Sequence, residues 1–537
     1  MIRVHNPVLP GFHADPSILR VGDWYYIANS TFEWFPGVEI HRSKDLASWE
    51  RLPSPLTRKS LLNMEGAGAS SGIWAPCLSW SDGLFWLIYT NIRSWDSGPW
   101  KDAPNYLVTA PSIEGPWSEP VFLNCSGFDP SLFHDDDGKK WLVNMEWDYR
   151  ATGSGQFSGI LLQEYSPAEK RLIGPARKIF RGSDIGMVEG PHLYKRDGFY
   201  YLLTAEGGTE YAHAATLARS ASLFGPYELH PRNPLITSYG HADAPLQKAG
   251  HASWCDSPDG RTYLAFLCGR PLPGTRACVL GRETAVAELV WKDGWPWVKP
   301  EDGGEPFRDG VYRNAPPESF EPPVALRSAK NPRADAAVEY RFDGGTIPID
   351  FKSLRTERDP EAYSLSARPG WLRLRGGQSP CSRFGQTLLA RRQADFDFDA
   401  VTRMDFSPAS FQHIAGLSWR YDERNQYLAC VSRDEELGRV AFAMSMVEGR
   451  FARWGQVALP AEGPVWLSVR ARGATGAFLY SLDGESWTPL RPTLDATVLS
   501  DEFDGLGFTG AFIGIFCVDT EAYTRTADFD RFVYAPR

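Results

Sequence analysis

The chain has 537 residues, a net charge of −10, 43% hydrophobic and 23% charged residues. That length exceeds what one hydrophobic core usually serves and implies two or more domains of globular composition. The acidic balance gives no support to nucleic-acid binding, which favours basic patches, and no apolar run is long enough to span a bilayer.

The start, Met1-Ile2-Arg3-Val4-His5-Asn6-Pro7, has no apolar h-region and reads as the start of a cytoplasmic protein. The eight Cys are scattered without C-x-x-C spacing. They read as free thiols rather than structural zinc ligands.

The segment Gly11-Phe12-His13-Ala14-Asp15-Pro16-Ser17-Ile18 then recurs in altered form about every 54 to 61 residues. Its later versions are Ile73-Trp74-Ala75-Pro76-Cys77-Leu78, Gly127-Phe128-Asp129-Pro130-Ser131-Leu132, Val188-Glu189-Gly190-Pro191-His192-Leu193 and Gly250-His251-Ala252-Ser253-Trp254. After each comes a turn signal and an aromatic-aliphatic run. Ser81-Asp82-Gly83 before Leu84-Phe85-Trp86 and Arg196-Asp197-Gly198 before Phe199-Tyr200-Tyr201 are examples. Asp-Gly between such runs marks a hairpin. Five copies of one strand grammar predict a five-bladed β-propeller over residues 1–310.

Residues 311–335 are proline-rich and read as an ordered linker, because proline cannot donate to a strand ladder. Period-two alternation returns over 336–537, as in Val465-Trp466-Leu467-Ser468-Val469-Arg470. It predicts an antiparallel β-sandwich. The fold class is therefore all-β, with no long helical pattern in either part.

Three repeat heads carry a carboxylate: Asp15, Asp129 and Glu189. One Asp-Pro is more simply a turn initiator. Three in a five-fold repeat converge on one axis, where like charges cannot all ionise freely and at least one pKa is raised. A protonated acid beside an ionised base is what glycosidic hydrolysis needs. A metal site or a structural cluster is the minority reading. With Ser253 at the proline position, His251 falls in register with Trp74 and Glu189. His134-Asp135-Asp136-Asp137-Gly138 suggests calcium, but the other repeats have hairpin turns there.

These segments, with Ser30-Thr31-Phe32-Glu33-Trp34-Phe35-Pro36-Gly37 and Leu280-Gly281-Arg282-Glu283-Thr284, resemble glycoside hydrolase family 43, and the whole chain resembles its two-domain β-xylosidases. The resemblance implies an inverting, exo-acting enzyme that releases terminal D-xylose from β-1,4-xylooligosaccharides. Asp15 would be the general base, Glu189 the general acid, and Asp129 the carboxylate that tunes the acid and positions the sugar. Phe32, Trp74, Trp147, Thr209, His251 and Arg282 would line the pocket. The second domain would be a concanavalin-like sandwich whose loop closes one side, through Phe508 or, alternatively, Phe512. No cofactor is required on this pattern. Some members hold a divalent cation such as calcium near the central histidine, and the sequence leaves that open for His251. The expected partners are xylooligosaccharides and further copies of the chain in a homo-oligomer, without nucleic acid or membrane. α-L-Arabinofuranosidase activity, alone or as a second activity, is the nearest alternative. A non-catalytic sugar-binding propeller is the more distant one, since a lectin needs no acid–base pair.

Overall fold

The structure, a computed structural model, describes residues 3–96, 98–308, 310–324 and 337–537. The chain divides into two compact units. Residues 325–335 of the expected linker lie outside the described residues.

The first unit is a five-bladed propeller, each blade an antiparallel sheet whose strands follow chain order. Its innermost strands are Ser17–Val21, Gly72–Ser81, Ser131–His134, Glu189–Arg196 and Gln247–Asp256. The hairpins fall at the signalled turns. Ser81 pairs with Leu84 and Arg196 with Phe199. Asp82, Gly83, Asp197 and Gly198 all have positive φ, as a two-residue type I′ hairpin requires. The acidic run after His134 is a longer hairpin loop, closed by the pairing of His134 with Lys140. Asp135 there accepts from Lys195 Nζ at 2.7 Å and from Tyr200 Oη at 2.9 Å.

The ring is closed by its own N-terminal segment. Val4–His5 pairs with Ser319–Phe320. The Val8 N–H donates to the Thr284 carbonyl at 2.9 Å and the His13 N–H to the Arg282 carbonyl at 2.8 Å. Asn6 Nδ2 donates to the carbonyls of Val286 and Pro317, each at 2.9 Å. Residues 311–324 of the expected linker are held by short pairings. The prolines leave gaps in which short strands still pair, Val311–Tyr312 with Phe307–Arg308 and Ser319–Phe320 with the N-terminus.

The second unit is a β-sandwich. One sheet runs Tyr363–Ser364, Leu372–Arg375, Thr526–Pro536, Phe398–Asp405, Val465–Arg472, Thr475–Ser481 and Thr488–Asp495, with Val338–Arg341 also on Thr526–Pro536. The other runs Thr387–Arg392, Phe512–Asp519, His413–Arg420, Gln426–Asp434, Gly438–Val447 and Arg450–Ala458. The alternating residues of both fill one core around Trp419, Phe398, Tyr534 and Phe529. Two segments from the propeller half of the sequence, Glu33–Pro36 and Pro271–Gly281, belong to this unit. Trp34–Phe35 pairs with Ser353–Leu354. The boundary is thus not the single cut that proline content suggested, because short runs of alternation inside a loop leave little trace in the sequence. The only helices among the described residues are short 3-10 turns at Gly153–Gln156 and Ala496–Leu499, and no helix is long and apolar enough to cross a membrane.

Candidate active site

A left-handed residue stands at the head of every blade. Asp15 (φ 52°), Ala75 (35°), Asp129 (55°), Gly190 (56°) and His251 (34°) occupy equivalent places. Such φ values are uncommon for residues other than glycine and turn the chain sharply into the innermost strand. They also fix the register. Two residues on come Ser17, Cys77, Ser131, His192 and Ser253, paired with Ala28, Ile88, Val143, Leu203 and Ala265. His251 is therefore in register with Asp15 and Asp129, and Ala252 takes the proline position. The expectation that Ser253 did so is corrected by one residue. A bulge between Gly250 and Ala252 shifts the ladder there, and no proline marks the place in the sequence.

One position earlier the heads carry Ala14, Trp74, Phe128, Glu189 and Gly250. Small residues stand among functional ones in both rings, and the small ones make room. A Cβ on Gly190 would lie 3.1 Å from the His251 ring, and one on Gly250 would lie 2.4 Å from the His213 ring.

Ring closure brings Asp15 to Arg282. Arg282 Nη1 donates to Asp15 Oδ1 at 3.4 Å and to Thr209 Oγ1 at 2.7 Å. Ser30 Oγ donates to Asp15 Oδ2 at 2.6 Å and accepts the Ala75 N–H at 2.8 Å. His251 Nδ1 lies 3.7 Å from Asp15 Oδ1. Asp129 Oδ2 accepts the Gly190 N–H at 3.1 Å, so the third carboxylate holds the backbone next to Glu189. Phe32, beneath the Arg282 guanidinium at 5.3 Å, begins an aromatic wall. Its ring centroid lies 6.1 Å from that of Trp74, Trp74 lies 5.3 Å from Phe128, and Phe128 lies 6.1 Å from Trp147. All three acids and the six pocket residues named from the propeller thus join one network of contacts or charges. Phe508 and Phe512 lie in the second unit. Phe508 is buried, and Phe512 stacks on Trp34 with centroids 3.7 Å apart.

The three acids are driven apart in protonation. Burial pushes Asp15 up, but Arg282, His251 and the Ser30 hydroxyl together hold it below the usual carboxylate range. Burial, and then the charge of Asp15, push Glu189 up to about 8 against the pull of Arg282 and Lys101. Asp129 is also pushed well up, first by burial and then by Glu189 and Asp15. Burial lowers His251 against the pull of Asp15. At neutral pH a carboxyl raised that far is mostly protonated. One pocket therefore holds an ionised carboxylate and a carboxylic acid, the pair needed to take one proton and give another.

Sequence reasoning missed Ser30, Lys101, Phe128 and His213. Phe128 was legible, as the residue in register with Trp74 and Glu189. The others come from outside the blade heads and carry no local signal.

Calcium takes six to eight oxygen ligands. The carboxylate beside His251 is that of Asp15, already held by Ser30 and Arg282, so an ion there would draw most of its oxygens from solvent. Among the described residues, the one close group of three metal-ligating side chains is His13, Glu39 and His41. Arg51 Nη2 sits 2.6 Å from Glu39 Oε2 and supplies the positive charge that a metal would.

Comparison with known proteins gives two domain matches. "Glycosyl hydrolases family 43" matches residues 4–296, and "Beta xylosidase C-terminal Concanavalin A-like domain" matches 339–535. The chain is 48% identical to a "Xylosidase/arabinosidase 43B" of Humicola insolens, over 100% of this chain and 98% of the relative. It is 46% identical to a "Beta-xylosidase" of Bacillus subtilis (strain 168), over 99% of each. A crystal structure of a xylan beta-1,4-xylosidase from Bacillus Halodurans C-125 superposes with a TM-score of 0.93 at 49% identity, covering 99% of this chain and 100% of that one.

The Ser30 hydroxyl lowers the Asp15 pKa by donating to the charged form. Ser30→Ala is expected to raise that pKa, so the acidic limb of the kcat/KM–pH profile moves to higher pH. An acidic limb that stays in place would show that Asp15 does not set it.

Proposed function

The chain belongs to glycosyl hydrolases family 43, and from that premise we propose that it is an inverting exo-β-xylosidase that releases terminal D-xylose from β-1,4-xylooligosaccharides. The observation that carries this reading is the divided protonation of Asp15 and Glu189 in one buried, aromatic-walled pocket. Asp15 removes a proton from water as the water oxygen bonds to the anomeric carbon. Glu189 gives its proton to the glycosidic oxygen as the bond from that carbon breaks. Asp129 holds the Gly190 N–H and with it the backbone beside Glu189. Arg282 keeps Asp15 ionised and reaches, with Thr209, toward sugar hydroxyls. The aromatic wall stacks on the sugar and excludes water. After one turnover the proton lies on Asp15 and is missing from Glu189, and exchange with solvent resets the pair.

A second activity toward α-L-arabinofuranosides has support in the relative whose name carries both activities. A pocket built on one guanidinium and flat aromatic faces accepts similar hydroxyl patterns from either sugar.

Inversion requires carboxylates roughly 6.5–9.5 Å apart, with water between. Proton NMR of the first product from a β-xyloside is expected to show α-xylose. β-Xylose in the first spectra would mean retention and would remove the base role from Asp15. Glu189→Gln is expected to slow xylobiose cleavage roughly 10²–10⁴-fold and to spare β-D-xylosyl fluoride, whose leaving group needs no proton. Equal slowing of both would take the acid role from Glu189. Phe508 is assigned to substrate binding by family likeness. Phe508→Ala is then expected to raise KM without loss of folding, and unchanged kinetics would cancel that assignment.

A further inference from the structure

Two large aromatic side chains of the first unit stand in solvent, Trp100 at 61% and Tyr149 at 51% exposure. Their rings stack with centroids 5.7 Å and planes 29° apart. The loops beneath them are tied to one another through Trp147. The Trp147 Nε1–H donates to the Pro99 carbonyl at 2.8 Å, and the Lys101 ammonium sits 4.4 Å from the Trp147 ring centroid. Trp100 lies between these two anchors. Tyr149 lies two residues after Trp147, where the Asp148 N–H donates to the Gln156 carbonyl at 2.8 Å. The exposed pair is therefore a held platform.

Its place relative to the chemistry follows from the aromatic wall: Trp147 lies 6.1 Å from Phe128, the neighbour of Asp129, whose carboxylate holds the Gly190 N–H beside Glu189. Lys101 and Glu189 act on one another electrostatically, each shifting the other's titration. Trp100 stands between Pro99 and Lys101, both held on Trp147, and so lies at the end of that wall on the Glu189 side. Glu189, on the function proposed above, protonates the departing oxygen, so this side receives the leaving group. The charged groups by Tyr149 neutralise each other, with Arg150 Nε 2.8 Å from Asp148 Oδ1. A flat, apolar and locally neutral face suits an uncharged sugar ring rather than an ionic ligand.

We propose that the stacked Trp100–Tyr149 pair is a binding face for a leaving-group sugar of the oligosaccharide. It rests on the xylosidase reading and adds to it a recognition site on the side that product leaves. The test compares kcat/KM for xylobiose and xylotriose with that for β-D-xylosyl fluoride, which has no leaving-group sugar. Trp100→Ala and Tyr149→Ala are each expected to lower kcat/KM on at least one of the two oligosaccharides roughly 2- to 12-fold and to leave the fluoride rate unchanged. Trp100→Phe, which keeps an aromatic face, is expected to restore most of the loss. The proposal is overturned if both oligosaccharides keep their wild-type kcat/KM. It is overturned equally if the fluoride falls in step with them, because Trp100 then only supports Lys101 and Trp147. A wild-type enzyme inactive on every xyloside would instead sink the functional reading itself.

Discussion

Everything in the propeller depends on closing the ring. Five blades in sequence leave two raw ends, and an open ring would put Asp15 and Arg282 at opposite edges. The N-terminal segment closes it by bonding along the third strand of the last blade, from Val8 with Thr284 to His13 with Arg282. The same contacts that remove the unpaired edge set a guanidinium beside a carboxylate 267 residues away in the chain. Stability of the ring and ionisation of Asp15 rest on the same few hydrogen bonds.

Burial alone would protonate all three acids. The pocket separates them by distributing its donors unequally. Asp15 has Arg282 and Ser30; the donor placed on Asp129 is one backbone N–H; Glu189 has only the longer-range pull of Arg282 and Lys101. The division of labour is thus a matter of where a few donors point within a set of chemically similar carboxylates. The backbone helps, since left-handed heads at Asp15 and Asp129 turn both carboxyls out of their strands, while Glu189 precedes its own turn at Gly190.

The propeller was legible because its signals are local and repeated. Asp-Gly turns, aromatic strands and the Asp-Pro heads each declare a blade without reference to any other. The acids were legible for the same reason. His251 was placed one residue out of register because its blade head lacks the proline that marked the others. Ser30 and Lys101 were not legible at all. Each acts through contacts or charges that become close only when separate segments fold together, and a serine or lysine in a loop looks like any other. The two short segments that the second unit takes from the propeller half were hidden similarly, since Trp34–Phe35 acquires its partner only from Ser353–Leu354.

That borrowed strand sets an order of events during synthesis. The Pro36 carbonyl accepts from Lys352 Nζ, 316 residues further on. At 5–20 residues per second the ribosome needs roughly 16 to 63 seconds to cover that distance. The strands on either side of Glu33–Pro36, Trp24–Asn29 and Glu39–Ser43, belong to one blade and can pair long before then, while Trp34, buried at 1% exposure in the finished chain, waits with its indole uncovered. A nascent chain halted anywhere before residue 353 thus carries a tryptophan-bearing strand without its partner, a ready handle for chaperones or for aggregation.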